Sequence, residues 1–154
     1  MTMEDLDSTQ WVRGSRPGDQ NIVDIALSQV GQVGGQPYWS WYGFESHVEW
    51  CACFVSWCMN SAGHSEVRYS ACQYGGLPYF KNNGKWADSG FTDLAAGDVI
   101  FFDWEQDGYT DHTGIVIGRD NMYIYTVEGN MGDSVQLRQY EINSSVISGF
   151  GLMS

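Results

Sequence analysis

The chain is predicted to fold as an α+β domain, with helices first and an antiparallel sheet after them. Up to Gly63, apolar residues recur three and four positions apart, which is the spacing of helices that bury one face. From Gly97 onward, short runs of β-branched and aromatic residues alternate with turn residues, which is typical of strands. A chain of 154 residues has the length of one domain and can enclose a single core.

The charge and hydropathy of the chain argue against two functional classes, nucleic-acid binding and insertion into a membrane. Seven basic and nineteen acidic residues give a net charge of −12, and such a chain repels the phosphate backbone on which nucleic-acid affinity depends. We therefore expect no binding to DNA or RNA. No apolar run reaches the roughly 18 residues that a membrane span needs, and residues 1–18 lack the basic and apolar regions of an export signal.

Residues 1–20 are predicted to be an arm or interdomain linker ahead of a domain over residues 21–154. The arm is polar and contains the sequence Ser-Arg-Pro-Gly, which is typical of connecting segments. We expect it to contribute little to the core. The first helix starts behind a cap at Asp19 or Asn21, carries apolar residues at helical spacing, and ends before Gly34.

Aromatic residues crowd the two segments that are predicted as loops, residues 36–49 and 64–95. The second of these is long and is expected to carry short helical pieces. Rings on such loops either wall a substrate groove or pack against the neighbouring helix, and the sequence leaves both readings open. The residues predicted to contact a substrate are Trp41, Tyr42, Trp50 and Tyr74.

The sheet is predicted to be an antiparallel meander of about five strands. Its runs of β-prone residues are separated by glycine, asparagine and aspartate, which favour turns. The predicted strands cover residues 98–102, 113–117, 122–127, 135–140 and 146–150.

A cysteine occupies the start of the second helix, which is predicted over residues 52–62 and ends at Gly63. Unpaired N–H groups and the positive end of the helix dipole favour a thiolate at Cys51, and the thiolate is the nucleophilic form of cysteine. The alternative is structural, because free cysteine is often buried as a small apolar residue.

The four cysteines form no recognisable metal motif or disulfide framework. Cys51 and Cys53 are too close along the helix to bridge, whereas Cys58 and Cys72 could close a loop in an oxidising compartment. A zinc site built from Cys51, Cys53, Cys58 and a histidine is disfavoured, because structural zinc motifs present closely spaced pairs. We expect no metal and no cofactor.

A hairpin of the second and third predicted strands is expected to bring a histidine to a carboxylate. If it folds about Asp120, His112 faces Glu128 across the open end, and the carboxylate fixes the imidazole by a hydrogen bond. Gly114 leaves room on the same face for the helix that begins at Cys51. Exposed charge pairs are common and contribute little, so only a neighbouring Cys51 gives this pair a catalytic meaning.

Two further residues bear on this site. Asn130 projects to the same side as Glu128 if the strand continues that far, and it is predicted to hydrogen-bond the histidine or to line the site. His47 lies close to Cys51 in the sequence and is the rival imidazole, although an exposed loop position favours a solvated side chain.

Four motifs follow one another along the chain, at residues 49–57 (EWCACFVSW), 96–102 (AGDVIFF), 111–116 (DHTGIV) and 127–130 (VEGN). In this order and spacing they resemble the motifs of CHAP domains, which belong to the wider NlpC/P60-like, papain-related group. The resemblance extends from about residue 21 to the C-terminus.

The resemblance implies a papain-like α+β core, with the nucleophile helix packed on the sheet, and hydrolysis of amide bonds in bacterial peptidoglycan. Cys51 matches the nucleophile, and His112 matches the general base and acid. Glu128 and Asn130 match the residues that orient the histidine. The segment before the nucleophile offers too few carboxylates for the calcium that some members bind, so no calcium is expected. The implied bond joins N-acetylmuramic acid to L-alanine, with a stem-peptide or cross-bridge bond as the alternative.

Two rivals of other classes remain at this point: a non-catalytic wall-binding module, and a small interaction domain stapled by disulfides or zinc. An intact set of Cys51, His112 and Glu128 favours the enzyme, because a binder has no physical need of it. Such an enzyme acts at the bacterial cell wall, either secreted or released by a phage. Its acidity predicts a separate wall-targeting module or a larger parent protein, because the wall polymers are anionic.

Overall fold

Four α-helices precede six β-strands in the computed structural model, which describes residues 1–154. The predicted α+β arrangement with an antiparallel sheet is confirmed. The helices are α1 (Gln20–Ser28), α2 (Gln36–Tyr42), α3 (Cys51–Ser61) and α4 (Leu77–Asn82). The strands are β1 (Trp86–Asp88), β2 (Val99–Phe102), β3 (His112–Arg119), β4 (Tyr123–Glu128), β5 (Gln136–Glu141) and β6 (Ile147–Gly151).

Of the first two helices, the sequence predicted α1 but not α2. The side chain of Asp19 accepts a hydrogen bond from the Asn21 N–H, so the predicted cap of α1 is confirmed. The segment that became α2 was predicted as a loop, and this prediction is wrong. Gly35 enters with a φ of 69°, Pro37 lies in the first turn, and Gly43 ends the helix. Packing of the aromatic side chains explains why so short a helix forms.

Helix α3 lies at the centre of the molecule. Its start at Cys51 and its end before Gly63, which has a φ of 89°, agree with the prediction to within one residue. Eight of its eleven residues are buried. A helix that is apolar on most sides must be enclosed by other elements, and α1, α2, β3 and β4 all pack against α3.

The six strands lie in the order β1-β6-β2-β3-β4-β5, and every pairing is antiparallel. Strands β2 to β5 form the predicted meander. The last strand does not extend the meander beyond β5. Strand β6 instead returns to the β2 edge of the meander, where it pairs with β1 and β2. Strand β1 lies within residues 64–95, where no strand was predicted. Its three residues carry too short a pattern to be recognised in the sequence.

Alternate residues of the strands belong to two apolar clusters, one on each face of the sheet. Helix α3 packs against the face that carries Ile115 and Val127, while Val116 and Ile124 point to the other face. The expectation that α3 covers the face of Gly114 is therefore wrong. The missing side chain of Gly114 instead makes room for Glu128, since a Cβ there would lie 2.5 Å from the Glu128 Cγ.

The N-terminal arm is attached to the sheet rather than free of it. Arg16 donates two hydrogen bonds of 2.7 Å to the buried carboxylate of Asp98. Trp11 stacks on Tyr125 with ring centroids 5.9 Å apart and fills the space that Gly118 leaves open. The arm thus packs against the core to a greater extent than its polar sequence indicated. None of the helices is both long and apolar enough to cross a membrane.

Candidate active site

The first turn of α3 holds Cys51, and the preceding residue anchors that turn. Trp50 is fully buried, stacks on Tyr38 at 5.5 Å and donates a hydrogen bond of 2.9 Å from Nε1 to Asp133. Gly35 makes this position possible, because a Cβ there would lie 2.3 Å from the indole ring. The prediction that Trp50 contacts a substrate is wrong, since the side chain has no exposed surface. It fixes the backbone from which Cys51 projects.

The imidazole of His112 is held at the first residue of β3. Its Nε2 lies 2.8 Å from Oε1 of Glu128, and only 5% of the residue is exposed. The rings of Phe102 and Trp104 lie beside it, with centroids at 5.7 and 5.4 Å. Because an ionised carboxylate only accepts hydrogen bonds, Nε2 carries a proton and Nδ1 is left for Cys51.

The predicted contact between His112 and Glu128 is present, although the register predicted for it is wrong. Val116 pairs with Thr126 rather than with Ile124, because the turn lies beyond Asp120. Arg119 pairs with Ile124, three positions from the predicted register, and a bulge between Val116 and Gly118 reduces this offset to two. The pairing shifts by two positions, and a shift of two keeps each side chain on its predicted face. The histidine therefore reaches the carboxylate diagonally instead of directly across the strands.

Glu128 is fully buried and its carboxylate is held from three sides. Oε1 accepts a hydrogen bond of 3.0 Å from the Tyr140 hydroxyl besides the one from His112, and Oε2 accepts one of 2.5 Å from Thr126. These bonds fix the orientation of the acceptor, which in turn fixes the ring of His112. The sequence analysis missed Tyr140 and Thr126. Thr126 lies two residues before Glu128 on the same face of β4, whereas only the register of β4 against β5 places Tyr140 near the carboxylate.

Asn130 does not hydrogen-bond the histidine, so that part of its predicted role is wrong. Its side-chain amide donates to Glu49, and its backbone has a φ of 60°. A second bond of 2.8 Å joins His47 to Asp133 nearby. Both contacts connect the segment before Cys51 to the turn after β4. His47 is thus engaged elsewhere as the structure stands and is not the imidazole beside Cys51.

A second thiol lies against Cys51, and the sequence analysis did not anticipate it. Cys72 begins a π-helical turn, Cys72–Gly76, and lies close enough to Cys51 to affect the pKa of that thiol. All four cysteines are free, and the neighbour of Cys72 is Cys51 rather than Cys58. No spacing rule pairs a helix start with a residue across a long irregular segment, so the sequence carries no signal for this contact.

The surroundings of Cys51 favour its ionised form. The hydrogen bond from Cys72 lowers the pKa of the Cys51 thiol, burial opposes this, and the hydrogen bond and positive charge of His112 lower the pKa further, to about 5. The pKa of Cys72 is raised, first by its hydrogen bond to Cys51 and then by burial. Cys51 is therefore the anion and Cys72 remains the neutral donor.

The same pairing stabilises the charged form of His112. Burial lowers the pKa of the imidazole, but the hydrogen bonds and charges of Cys51 and Glu128 outweigh burial and raise the pKa to about 9. Between these two values the thiol is deprotonated and the imidazole is protonated. The site thus holds a thiolate–imidazolium pair at neutral pH.

The remaining residues predicted to contact a substrate lie on the surface around α2 and the π-helical turn. The guanidinium of Arg68 lies 4.6 Å from the Trp41 ring and 4.4 Å from the Tyr42 ring. Tyr42 also stacks on Phe44, with centroids 5.7 Å apart, whereas Tyr74 is 80% exposed. Contacts of Trp41, Tyr42 and Tyr74 with a substrate stay predictions.

A family model described as the CHAP domain matches residues 41–130, which is more than half of the chain. The chain belongs to the CHAP domain family. The matched segment of this CHAP domain includes Cys51, Cys72, His112 and Glu128. No group of three or more histidine, cysteine, aspartate or glutamate side chains is arranged to hold a metal ion.

Solved structures of Ly7917 share the fold. The crystal structure of Ly7917 has a TM-score of 0.57 at 16% identity, with 86% of this chain and 61% of that chain covered. The crystal structure of Ly7917 with the hydrolyzing product of MDP has a TM-score of 0.54 at 16% identity, with 85% and 61% covered. The chain thus spans about three fifths of the Ly7917 chains. No curated protein matches it.

Proposed function

We propose that this CHAP domain is a cysteine hydrolase that cleaves an amide bond of bacterial peptidoglycan. The observation that carries the proposal is the alignment of three buried groups. Glu128 holds Nε2 of His112, and the other side of the imidazole serves Cys51. A structural cysteine needs neither a lowered pKa nor a histidine fixed from behind. Membership of the CHAP family favours peptidoglycan as the substrate.

The first half of the reaction is attack by the Cys51 sulfur on the amide carbonyl carbon. The helix supplies the groups that stabilise the oxyanion. The Phe54 N–H donates to the Trp50 carbonyl, which makes this the first hydrogen bond of α3. The N–H groups of Cys51 and Ala52 precede it and can donate to the oxyanion, an interaction worth on the order of 3 kcal/mol in comparable sites.

Proton transfer by His112 completes the reaction. The imidazolium gives its Nδ1 proton to the leaving amine as the carbon–nitrogen bond breaks, which leaves an acyl thioester on Cys51. The neutral imidazole then takes a proton from water as the water attacks the thioester. Release of the carboxylic acid restores the thiolate–imidazolium pair. Glu128 keeps the ring oriented throughout.

The bond we favour joins N-acetylmuramic acid to L-alanine, and a peptide bond of the stem or cross-bridge is the second candidate. Ly7917, which shares the fold, has been crystallised with the hydrolyzing product of MDP. Both cuts use the same catalytic groups, so the choice depends on the surface around Trp41 and Tyr74. We propose that the domain works at the cell wall together with a wall-targeting module, because its net charge of −12 disfavours adsorption to an anionic polymer.

Mass spectrometry of digested peptidoglycan tests the proposal. The wild-type domain should release fragments, and a new amino terminus at L-alanine would identify the amidase cut. New ends within the stem or cross-bridge would identify the endopeptidase instead. The Cys51→Ser variant should release nothing. Equal fragment release by wild type and Cys51→Ser, or no release by the wild type from any peptidoglycan chemotype offered, would overturn the proposal.

A further inference from the structure

One arginine side chain is fixed against the aromatic residues at the end of α2. The guanidinium of Arg68 lies 4.6 Å from the Trp41 ring and 4.4 Å from the Tyr42 ring, and its Nη2 donates a hydrogen bond of 2.8 Å to the Tyr42 carbonyl. Every other cation that lies over an aromatic ring faces a single ring, at 5.6 Å or more from its centroid. The orientation of the Arg68 guanidinium is therefore set before any ligand binds.

The guanidinium of Arg68 is exposed and is not neutralised by a carboxylate. None of the salt bridges of the structure includes Arg68. A guanidinium has several N–H donors, and the Tyr42 carbonyl takes only one of them. The positive charge and the remaining N–H groups are thus free for a ligand.

The residue that follows Arg68 ties its backbone to the elements of the active site. Tyr69 is buried, and its N–H and carbonyl hydrogen-bond the Ser56 hydroxyl of α3 at 2.9 and 2.8 Å. The Tyr69 hydroxyl lies 2.9 Å from Oγ1 of Thr113, the residue after His112. The backbone of Arg68 is thus fixed between the helix that begins at the nucleophile and the strand that carries the general base.

Helix α2 places the other end of the side chain within reach of a substrate. Tyr38, one turn before Tyr42, stacks on Trp50 with ring centroids 5.5 Å apart, and Trp50 precedes Cys51. Together with one helical turn and the contact between Tyr42 and Arg68, this places the positive charge within about 15 Å of the Trp50 ring. An extended peptide of about five residues spans that distance.

A carboxylate is the ligand that best fits such a group. The guanidinium is planar and permanently charged, and its paired N–H groups match the two oxygens of a carboxylate. The peptide stem of peptidoglycan offers carboxylates at its acidic residue and at its C-terminus. Since the chain has a net charge of −12, most of its surface repels these groups, and a local positive charge offsets the repulsion.

We propose that Arg68 forms a carboxylate subsite for the peptide stem and selects stems in which that carboxylate is free rather than amidated. The proposal rests on the proposed function, because it names the substrate group that is recognised beside the catalytic residues. The carboxylate lies away from the amide that is cleaved, so its contact with Arg68 is the same in the ground state and in the transition state. Such a contact lowers KM and leaves kcat unchanged.

Kinetics on three synthetic muropeptides tests the proposal: one with both carboxylates free, one amidated at the acidic residue and one amidated at the C-terminus. With the wild type, one of the two amidations should raise KM about tenfold or more, which identifies the carboxylate that is bound. Arg68→Gln should raise KM for the free substrate by a similar factor, leave kcat unchanged and abolish the difference between substrates. The matched control Arg13→Gln removes an exposed positive charge from the arm and should change none of the three KM values.

Two kinetic results would overturn the carboxylate subsite. One is a wild type that cleaves all three substrates with the same KM. The other is an Arg68→Gln variant that loses activity equally on all three, because a purely structural role of Arg68 does not depend on the charge of the substrate.

Calorimetric titration of Cys51→Ser with the free stem peptide separates this proposal from the proposed function. The peptide should bind, and addition of Arg68→Gln should weaken binding about tenfold or more. Binding that does not depend on Arg68 would overturn the subsite even if the wild type cleaves peptidoglycan. Binding that depends on Arg68, in a domain whose wild type cleaves no peptidoglycan, would refute the proposed function and leave the subsite intact.

Discussion

Two histidine–carboxylate pairs have the same separation but different surroundings, and the contrast shows how burial changes what such a pair does to its neighbours. His112 and Glu128 are 2.8 Å apart, as are His47 and Asp133. The first pair has side-chain exposures of 6% and 0%, the second 56% and 48%. Burial removes competing water, so the charges of the first pair act on each other and on Cys51 at close to full strength. The second pair is screened by solvent.

The two pairs also differ in what surrounds the carboxylate. Glu128 accepts from Tyr140 and Thr126 besides the histidine. Asp133 accepts from Trp50, and it thereby anchors the turn that presents Cys51. The exposed pair thus stabilises the backbone near Cys51, while the buried pair acts on the Cys51 thiol itself. Substitutions at the two sites should have effects of very different size.

Removal of the sulfur is the largest change. Cys51→Ser should lower the rate of peptidoglycan cleavage by about 10⁴-fold or more, because a hydroxyl is not ionised by the same surroundings. Circular dichroism should show an unchanged fold, since serine is close to cysteine in size. Turbidity clearance of purified walls measures the rate. Retention of even a tenth of the wild-type rate would remove Cys51 from the mechanism.

Removal of the imidazole compares the two pairs directly. His112→Ala should cost on the order of 10⁴-fold or more in the same assay, as the loss of a triad member does in other hydrolases. The matched variant His47→Ala should change the rate by no more than about threefold, because exposed ion pairs contribute little. If His47→Ala proved the more damaging of the two, the base would have to be reassigned.

Removal of one charge from the buried pair should move the pH profile of the hydrolytic activity. With the wild type, activity should rise near pH 5 as Cys51 ionises and fall near pH 9 as His112 loses its proton. Burial lowers the pKa of His112, and Cys51 and Glu128 raise it. Glu128→Gln should therefore shift the alkaline limb to lower pH by about one unit or more. An unmoved alkaline limb would show that Glu128 does not hold the charge of His112.

Removal of the second thiol is the mildest change. Cys72→Ala takes away the hydrogen bond that contributes most to the lowered pKa of Cys51. The acid limb of the profile should consequently move to higher pH, while the alkaline limb stays near that of the wild type. The rate at pH 8 should change little, because Cys51 remains ionised there through His112. A shift of both limbs together would indicate a general disturbance of the site.

The sequence predicted those features of the site that follow from local rules. Helix start chemistry placed Cys51, and the strand period placed His112 and Glu128 on one face. The face survived an incorrect register because the pairing at Val116 is offset by two positions, the bulge near Gly118 having reduced an offset of three at the turn. An error of one position would have separated the two side chains.

Features that depend on distant segments were not predictable from one sequence. The burial of Trp50 depends on the absence of a side chain at Gly35, and the position of Cys72 depends on the path of the chain through residues 64–95. The return of β6 to the other side of the sheet and the attachment of the arm through Arg16 also depend on long-range contacts. Neither propensity nor periodicity carries information about such contacts.

The central claim is that Cys51 and His112 form an ion pair before any substrate binds. The rate of alkylation of Cys51 by iodoacetamide, followed by mass spectrometry across the pH range, tests it most directly. The rate should follow ionisation with a midpoint near pH 5, and His112→Ala should move that midpoint upward. The account would be contradicted by a wild-type midpoint at about pH 8.5, the value of an ordinary cysteine, that does not change in His112→Ala.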